Sequence, residues 1–89
     1  MRLHVMVRGR VQGVGFRWFV REAARRRSIA GWVRNLADGS VEVAADGDDE
    51  AIAALRVAIL KGPAGADVAS VDELEPLADE LPSQFSILR

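Results

Sequence analysis

Apolar and polar residues follow two different spacings in the first third of the chain. Residues 3–8 alternate between apolar and other side chains, which predicts a half-buried strand. Residues 9–15 contain three glycines, which predicts a loop whose backbone adopts conformations that side chains would forbid. Between Phe16 and Ala24 the apolar residues recur at helical spacing. This helix is expected to end in the three arginines at 25–27, whose charge suits the negative end of a helix dipole.

The middle of the chain predicts a hairpin followed by a second helix. Residues 31–36 and 40–45 are both strand-like, and Asp38-Gly39 between them is a common hairpin signal. Acidic residues at 48–50 mark the start of the helix, and Gly62-Pro63 marks its end.

The last third of the chain predicts two further strands. Residues 68–74 are strand-like but their alternation is broken, which suggests a bulge. Residues 85–88 predict a short terminal strand. Residues 75–84 are acidic, contain prolines and have no clear period, so we interpret them as a connection.

This order of elements predicts an α+β fold: a ferredoxin-like split β-α-β sandwich, with an antiparallel sheet and two helices on one face. Right-handed crossovers place the first and third strands at the centre, in the strand order 4-1-3-2. These rules leave the position of the terminal strand open. The residues expected to pack against the helices are Leu3, Val5, Val7, Val33, Val41 and Val43. Those expected on the opposite face are His4, Trp32, Arg34 and Glu42.

The composition indicates one ordinary globular domain, residues 1–89, because a chain of this length buries only about 60 to 65% of its unfolded surface and cannot build two cores. No run approaches the roughly 18 apolar residues of a membrane span. The alternating first residues do not resemble a signal peptide, so we expect a cytoplasmic protein. With no cysteine and only His4, the chain has no thiolate chemistry and no histidine cluster, and we predict no metal site.

Charge is unevenly distributed, and the first third of the chain is strongly basic. Residues 1–34 contain nine arginines and one acid, Glu22, whereas residues 35–89 contain three basic and twelve acidic residues. This asymmetry suggests that the basic third faces an anion.

The glycine-rich loop has the features of an anion-binding site. It runs from a strand into a helix N-terminus, where backbone N–H groups converge and the helix dipole adds positive potential. It matches neither the P-loop nor the dinucleotide-binding pattern. Arg17, in the first turn of the helix, is placed to reach back over the loop and bind a phosphate through two N–H groups.

Residues 9–17 (GRVQGVGFR), 31–35 (GWVRN) and 38–43 (DGSVEV) closely resemble the acylphosphatase family. The similarity continues through residues 62–64 and 85–87, so it covers nearly the whole chain. Motifs of this length at these separations make the resemblance specific.

The resemblance implies an enzyme that hydrolyses the carboxyl-phosphate anhydride of acyl phosphates without a cofactor. The expected catalytic residues are Arg17, which binds the phosphate, and Asn35, which holds the attacking water. The backbone amides expected to bind substrate belong to Val11, Gln12, Gly13, Val14, Gly15 and Phe16. The expected ligands are an acyl phosphate and the product inorganic phosphate. We expect a monomer that binds neither nucleic acid nor membrane.

Three other functions compete with this interpretation. A nucleic-acid-binding module would share the fold, but its central strands would carry aromatic residues, and here they carry none. A regulatory protein that binds acyl phosphate without hydrolysing it would need Arg17 but not Asn35. A metal-dependent phosphatase is the weakest alternative, because no ligand cluster is marked. His4 is interpreted as a surface strand residue without a role, and Trp18, beside Arg17, as a surface residue or a border of the site.

Overall fold

The structure is a computed structural model that describes residues 1–88. The strands are β1 (Arg2–Arg10), β2 (Ala30–Asn35), β3 (Val41–Asp46), β4 (Asp67–Glu73) and β5 (Ser86–Ile87), and the helices are α1 (Phe16–Arg25) and α2 (Asp49–Lys61). All five strands form one sheet in the order β4-β1-β3-β2-β5. None of the helices in this part of the chain is long and apolar enough to cross a bilayer.

The predicted order of the first four strands is confirmed, but the prediction of an antiparallel sheet is wrong for β5. This strand pairs in parallel with β2, with Trp32 opposite Ser86 and Val33 opposite Ile87, so the sheet is mixed. The reason lies in the connection from β4, which stands at the other edge of the sheet. Because β4 runs opposite to β2, a connection that crosses the sheet where β4 ends brings the chain back parallel to β2.

The core lies between the sheet and both helices. Side chains from one face of the sheet and from the inner stripes of α1 and α2 form a single buried cluster. All six residues predicted to pack against the helices belong to it. The fully buried side chains with the largest volumes in this core are Phe16, Phe85, Leu3, Ile29, Ile52, Leu55 and Ile59.

The bulge predicted in β4 is confirmed, and it corrects the predicted start of the loop. Arg8 pairs with Ser70 and Gly9 pairs with Val68, which leaves Ala69 as the extra residue. Pairing with β4 therefore extends β1 through Gly9 to Arg10, and the loop begins only at residue 11. Gly9 has a φ of 127°, and a Cβ there would lie 2.2 Å from the carbonyl oxygen of Asp67, so only glycine fits.

The two helices begin in different ways. The Asp48 carboxylate accepts a hydrogen bond from the backbone N–H of Ala51 (2.8 Å) and caps α2. Helix α1 follows Gly15, whose φ is 76°, and has neither a capping side chain nor an acidic residue in its first turn. The N–H groups at the start of α1 are therefore left for another acceptor.

The opposite face of the sheet carries the four residues predicted there, but His4 is buried rather than a surface residue. Its Nε2 lies 2.6 Å from the Glu42 carboxylate, which also accepts a hydrogen bond from Arg34 (2.8 Å). The guanidinium of Arg34 lies over the Trp32 ring, 5.1 Å from its centre. The carbonyl oxygen of Glu75 lies 2.7 Å from Nδ1 of His4, so the connection after β4 packs over this part of the sheet.

Candidate active site

A cavity of about 170 Å³ opens where the loop after β1, the first turn of α1, the end of β2 and β5 meet. It contains both predicted catalytic residues and four of the six predicted loop residues. It also contains two side chains outside the predicted site. The lining residues are Val11, Gly13, Gly15, Phe16, Arg17, Trp18, Asn35 and Ile87.

The loop presents unpaired backbone donors. In the part of the chain that the structure describes, no N–H of residues 12–18 donates a hydrogen bond to another protein group. Gly13 and Gly15 each have a φ of 76°, a left-handed conformation that turns successive N–H groups towards one side. A Cβ at either glycine would meet nothing within 4 Å, so these positions require glycine for the backbone conformation rather than for space.

Arg17 stands at the positive end of α1 without a partner among the described residues. It is half-buried, and its guanidinium forms none of the ion pairs or hydrogen bonds that engage Arg8, Arg34 and Arg56. A cation at a helix N-terminus is unfavourable unless an anion is bound there. Because Arg17 lines the cavity, an anion bound in the cavity would lie beside it.

Asn35 is the last residue of β2, and it lines the same cavity. Within residues 1–88, Asn35 Oδ1 is the one buried side-chain oxygen or nitrogen without a hydrogen-bond partner. Leaving such an atom unsatisfied costs about 1 to 3 kcal/mol, so the atom is suited to accept a hydrogen bond from a bound molecule.

Two of the predicted loop residues have side chains outside the cavity. Gln12 donates to the carbonyl oxygens of Leu36 (2.8 Å) and Ser40 (2.9 Å) and ties the loop to the β2–β3 turn. Val14 packs against the core. In the same turn, the hydroxyl and backbone N–H of Ser40 donate to Asp38 and hold the pKa of that carboxyl below its usual value.

The polar groups around the cavity are mainly hydrogen-bond donors. Among residues 1–88, its polar groups are backbone N–H donors, one guanidinium and one side-chain amide, and none of these lining residues carries a carboxylate, imidazole or thiol. No group of three or more His, Cys, Asp or Glu side chains that could hold a metal ion occurs in residues 1–88. Such a cavity can bind an oxyanion and hydrogen-bond a water molecule beside it.

A small α+β domain with a donor-lined cavity at a helix N-terminus is suited to bind a phosphate or another oxyanion. Residues 3–87 match the family model described as Acylphosphatase. The chain belongs to the acylphosphatase family and is an enzyme of that family.

Individual relatives agree with this assignment. The chain is 45% identical over 85 residues to an acylphosphatase of Rhizobium etli, covering 96% of this chain and 90% of the relative. It is 53% identical over 75 residues to one of Koribacter versatilis, covering 84% and 67%. The crystal structure of acylphosphatase from Bacillus subtilis superposes with a TM-score of 0.85 at 40% identity, covering 99% of this chain and 98% of that one.

Sequence reasoning missed Ile87 and left Trp18 undecided. Ile87 reaches the cavity because β5 pairs beside β2, and no pattern in the sequence indicated this pairing. The sequence did contain an indication for Trp18, because this residue lies off the apolar stripe of α1 and directly follows Arg17.

Proposed function

We propose that this cavity hydrolyses acyl phosphates to a carboxylate and inorganic phosphate. The loop N–H groups of residues 11–16 and Arg17 bind the phosphate, and Asn35 positions the attacking water. The observation that carries this proposal is that Asn35, whose Oδ1 is unsatisfied, lines the same cavity as Arg17, whose guanidinium has no partner within residues 1–88. A phosphate would satisfy the donors, and a water molecule would satisfy the amide oxygen.

The reaction needs little beyond this positioning. The water oxygen, held by Asn35, attacks phosphorus while the bond between phosphorus and the acyl oxygen breaks and its electrons pass to the leaving carboxylate. A phosphate oxygen accepts the proton from the water. Phosphoryl transfer has a loose transition state, so positioning and charge stabilisation supply most of the acceleration. Arg17 and the loop N–H groups stabilise the equatorial oxygens, and the loss of one such donor costs about 3 kcal/mol.

A regulatory phosphate-binding protein is the remaining alternative, because it would use the same loop and arginine. The unsatisfied Asn35 oxygen favours catalysis, since the ionised phosphate group of an acyl phosphate offers only acceptors, whereas a water molecule can donate a hydrogen bond to an amide oxygen. We also propose that the fold belongs to the ferredoxin-like class. The strand order β4-β1-β3-β2 and the packing of α1 and α2 on one face support this proposal.

A hydrolysis assay tests the proposed function. Benzoyl phosphate should be hydrolysed rapidly, whereas p-nitrophenyl phosphate, a monoester with a poorer leaving group, should be a poor substrate because the cavity contains no acid to protonate it. Binding of phosphate without turnover of benzoyl phosphate would favour the regulatory alternative.

A further inference from the structure

Trp18 is an exposed tryptophan beside the phosphate-binding loop. The residue is 58% exposed and follows Arg17 in the first turn of α1. The other large exposed apolar residues are Met1, Val57 and Leu60, and none of these lines the cavity. Packing against the core therefore does not explain a tryptophan at this position.

The cavity separates into polar and apolar parts. The loop N–H groups, Arg17 and Asn35 account for a phosphate and a water molecule. Val11 and Phe16 are each only 1% exposed and belong to the core. Among the apolar lining residues this leaves Trp18 and the half-buried Ile87 accessible to a ligand. These two side chains form an apolar rim, and none of the lining residues that the structure describes carries a carboxylate that would oppose an anionic substrate.

The size of the cavity determines which part of a substrate meets this rim. Its volume of about 170 Å³ is well below the roughly 300 to 1,000 Å³ of sites that enclose a drug-sized ligand. With the phosphate against the loop, the rest of an acyl phosphate extends outwards over the rim. An indole face offers a large, rigid apolar surface at this point.

We propose that Trp18, with Ile87, contacts the acyl group and makes the enzyme prefer acyl phosphates with an aromatic or extended apolar acyl group over those with a small one. This inference rests on the proposed function, because it requires the phosphate to bind at the loop. Trp18 acts on the bound acyl group and has no part in the attack on phosphorus.

The test compares kcat/KM for benzoyl phosphate and acetyl phosphate. In Trp18→Ala the ratio of the two values should fall by about 5- to 10-fold, mainly because KM for benzoyl phosphate rises. This effect is at the low end of the discrimination that hydrophobic pockets achieve, because the rim is open to solvent. Trp18→Phe, which keeps an aromatic face, should retain most of the ratio. Leu60→Ala, a matched removal of an exposed apolar side chain on α2, should leave the ratio unchanged.

Binding can be followed separately by fluorescence. Trp32 is the only other tryptophan, so a Trp32→Phe variant leaves Trp18 as the single indole. Phenacylphosphonate and acetonylphosphonate carry a CH₂ in place of the bridging oxygen and are not hydrolysed at that bond. At saturation, the phenacyl compound should change the emission of Trp18 more than the acetonyl compound.

The outcomes distinguish the two proposals. If the parent hydrolyses both substrates but Trp18→Ala keeps the parent ratio, or if both phosphonates change the emission equally, the role of Trp18 is overturned and the proposed function stands. If the parent hydrolyses neither substrate, the proposed function fails.

Discussion

Arg17, in the first turn of α1, and Asn35, the last residue of β2, line the same cavity, and within residues 1–88 neither the Arg17 guanidinium nor Asn35 Oδ1 has a protein partner. The buried Oδ1 of Asn35 is left without a hydrogen bond, which lowers stability, and the half-buried Arg17 places a cation at the positive end of α1. A bound phosphate with its attacking water would satisfy both groups. The predictions for these two residues differ because one group donates to an anion and the other accepts from water.

Replacing Arg17 should weaken both binding and turnover. In Arg17→Ala, inorganic phosphate should become a much weaker competitive inhibitor, and kcat/KM should fall by about 10²- to 10³-fold, because the guanidinium contacts the phosphate before and during the reaction. Thermal unfolding should change little, or shift upwards, since the change removes a cation from the positive end of α1.

Arg26→Ala is the matched control for Arg17→Ala. Arg26 is exposed at the other end of α1, and its replacement removes the same charge from the protein. It should leave inhibition by phosphate unchanged. Equal inhibition of the parent and a folded Arg17→Ala variant would remove Arg17 from the site.

Glu42 should contribute to stability in a pH-dependent way. Burial alone would raise its pKa, but hydrogen bonds from His4 and Arg34, together with the charge of Arg34, outweigh burial and hold the pKa below the ordinary value of 4.5. A carboxyl whose pKa is lowered by folding stabilises the protein above its ordinary pKa, and this contribution is lost as the pH falls through the folded-state value.

Glu42→Gln should therefore lower the free energy of unfolding by about 1.5 to 3 kcal/mol at pH 7. The difference from the parent should begin to shrink as the pH falls below the ordinary pKa of 4.5 and should go on shrinking towards about pH 3, because the unfolded carboxyl is protonated before the folded one. Urea unfolding at both pH values measures this difference, with the exposed Glu80→Gln as control. A difference that stays constant down to pH 3 would mean that the charge of Glu42 contributes nothing.

Local patterns predicted most of what positions the site. Apolar spacing and turn residues located both helices and the five strands that residues 1–88 contain, and the crossover rule ordered the first four of them. The clustering of Arg17, Asn35 and the loop could then be predicted, because these residues lie at the ends of the predicted strands and helix. For Gln12, the sequence predicted only that its backbone N–H lies in the binding loop. The hydrogen bonds of its side chain to the β2–β3 turn depend on tertiary geometry and were not predicted.

The remaining differences come from long-range pairing. The edge that β5 joins is decided by the path of residues 74–85, which have no periodic pattern. For this reason the parallel pairing and the position of Ile87 in the cavity were missed. The burial of His4 has a similar cause, because residues packed over β1 lie far from it in sequence.

Hydrolysis should survive a metal chelator. The donors around the cavity are N–H groups and an amide, which do not match the carboxylate and imidazole ligands of catalytic metal sites. The rate with benzoyl phosphate should be the same in excess EDTA as without it. Loss of activity in EDTA, restored by a divalent ion, would contradict the mechanism.

Replacing Asn35 should affect turnover more than binding. In Asn35→Ala, kcat should fall by about 10²-fold or more while KM and inhibition by phosphate stay close to the parent values, because the amide holds only the water. Stability should change little, since the replacement removes a buried oxygen that lacks a protein partner. A variant with full kcat would leave the attacking water without a positioning residue.

Asn35→Asp tests whether the neutrality of the amide matters. Its carboxylate can still accept a hydrogen bond from water, but it brings a negative charge towards an anionic substrate, so activity should be poor near neutral pH. Activity should recover partly as the pH falls towards about 4 and the carboxyl is protonated.

The parent kcat should be nearly flat from about pH 5 to 8, because neither Arg17 nor Asn35 titrates there. Circular dichroism must show both proteins folded over this range. A steep bell-shaped profile for the parent would reveal a titrating base, which the lining of this cavity does not contain.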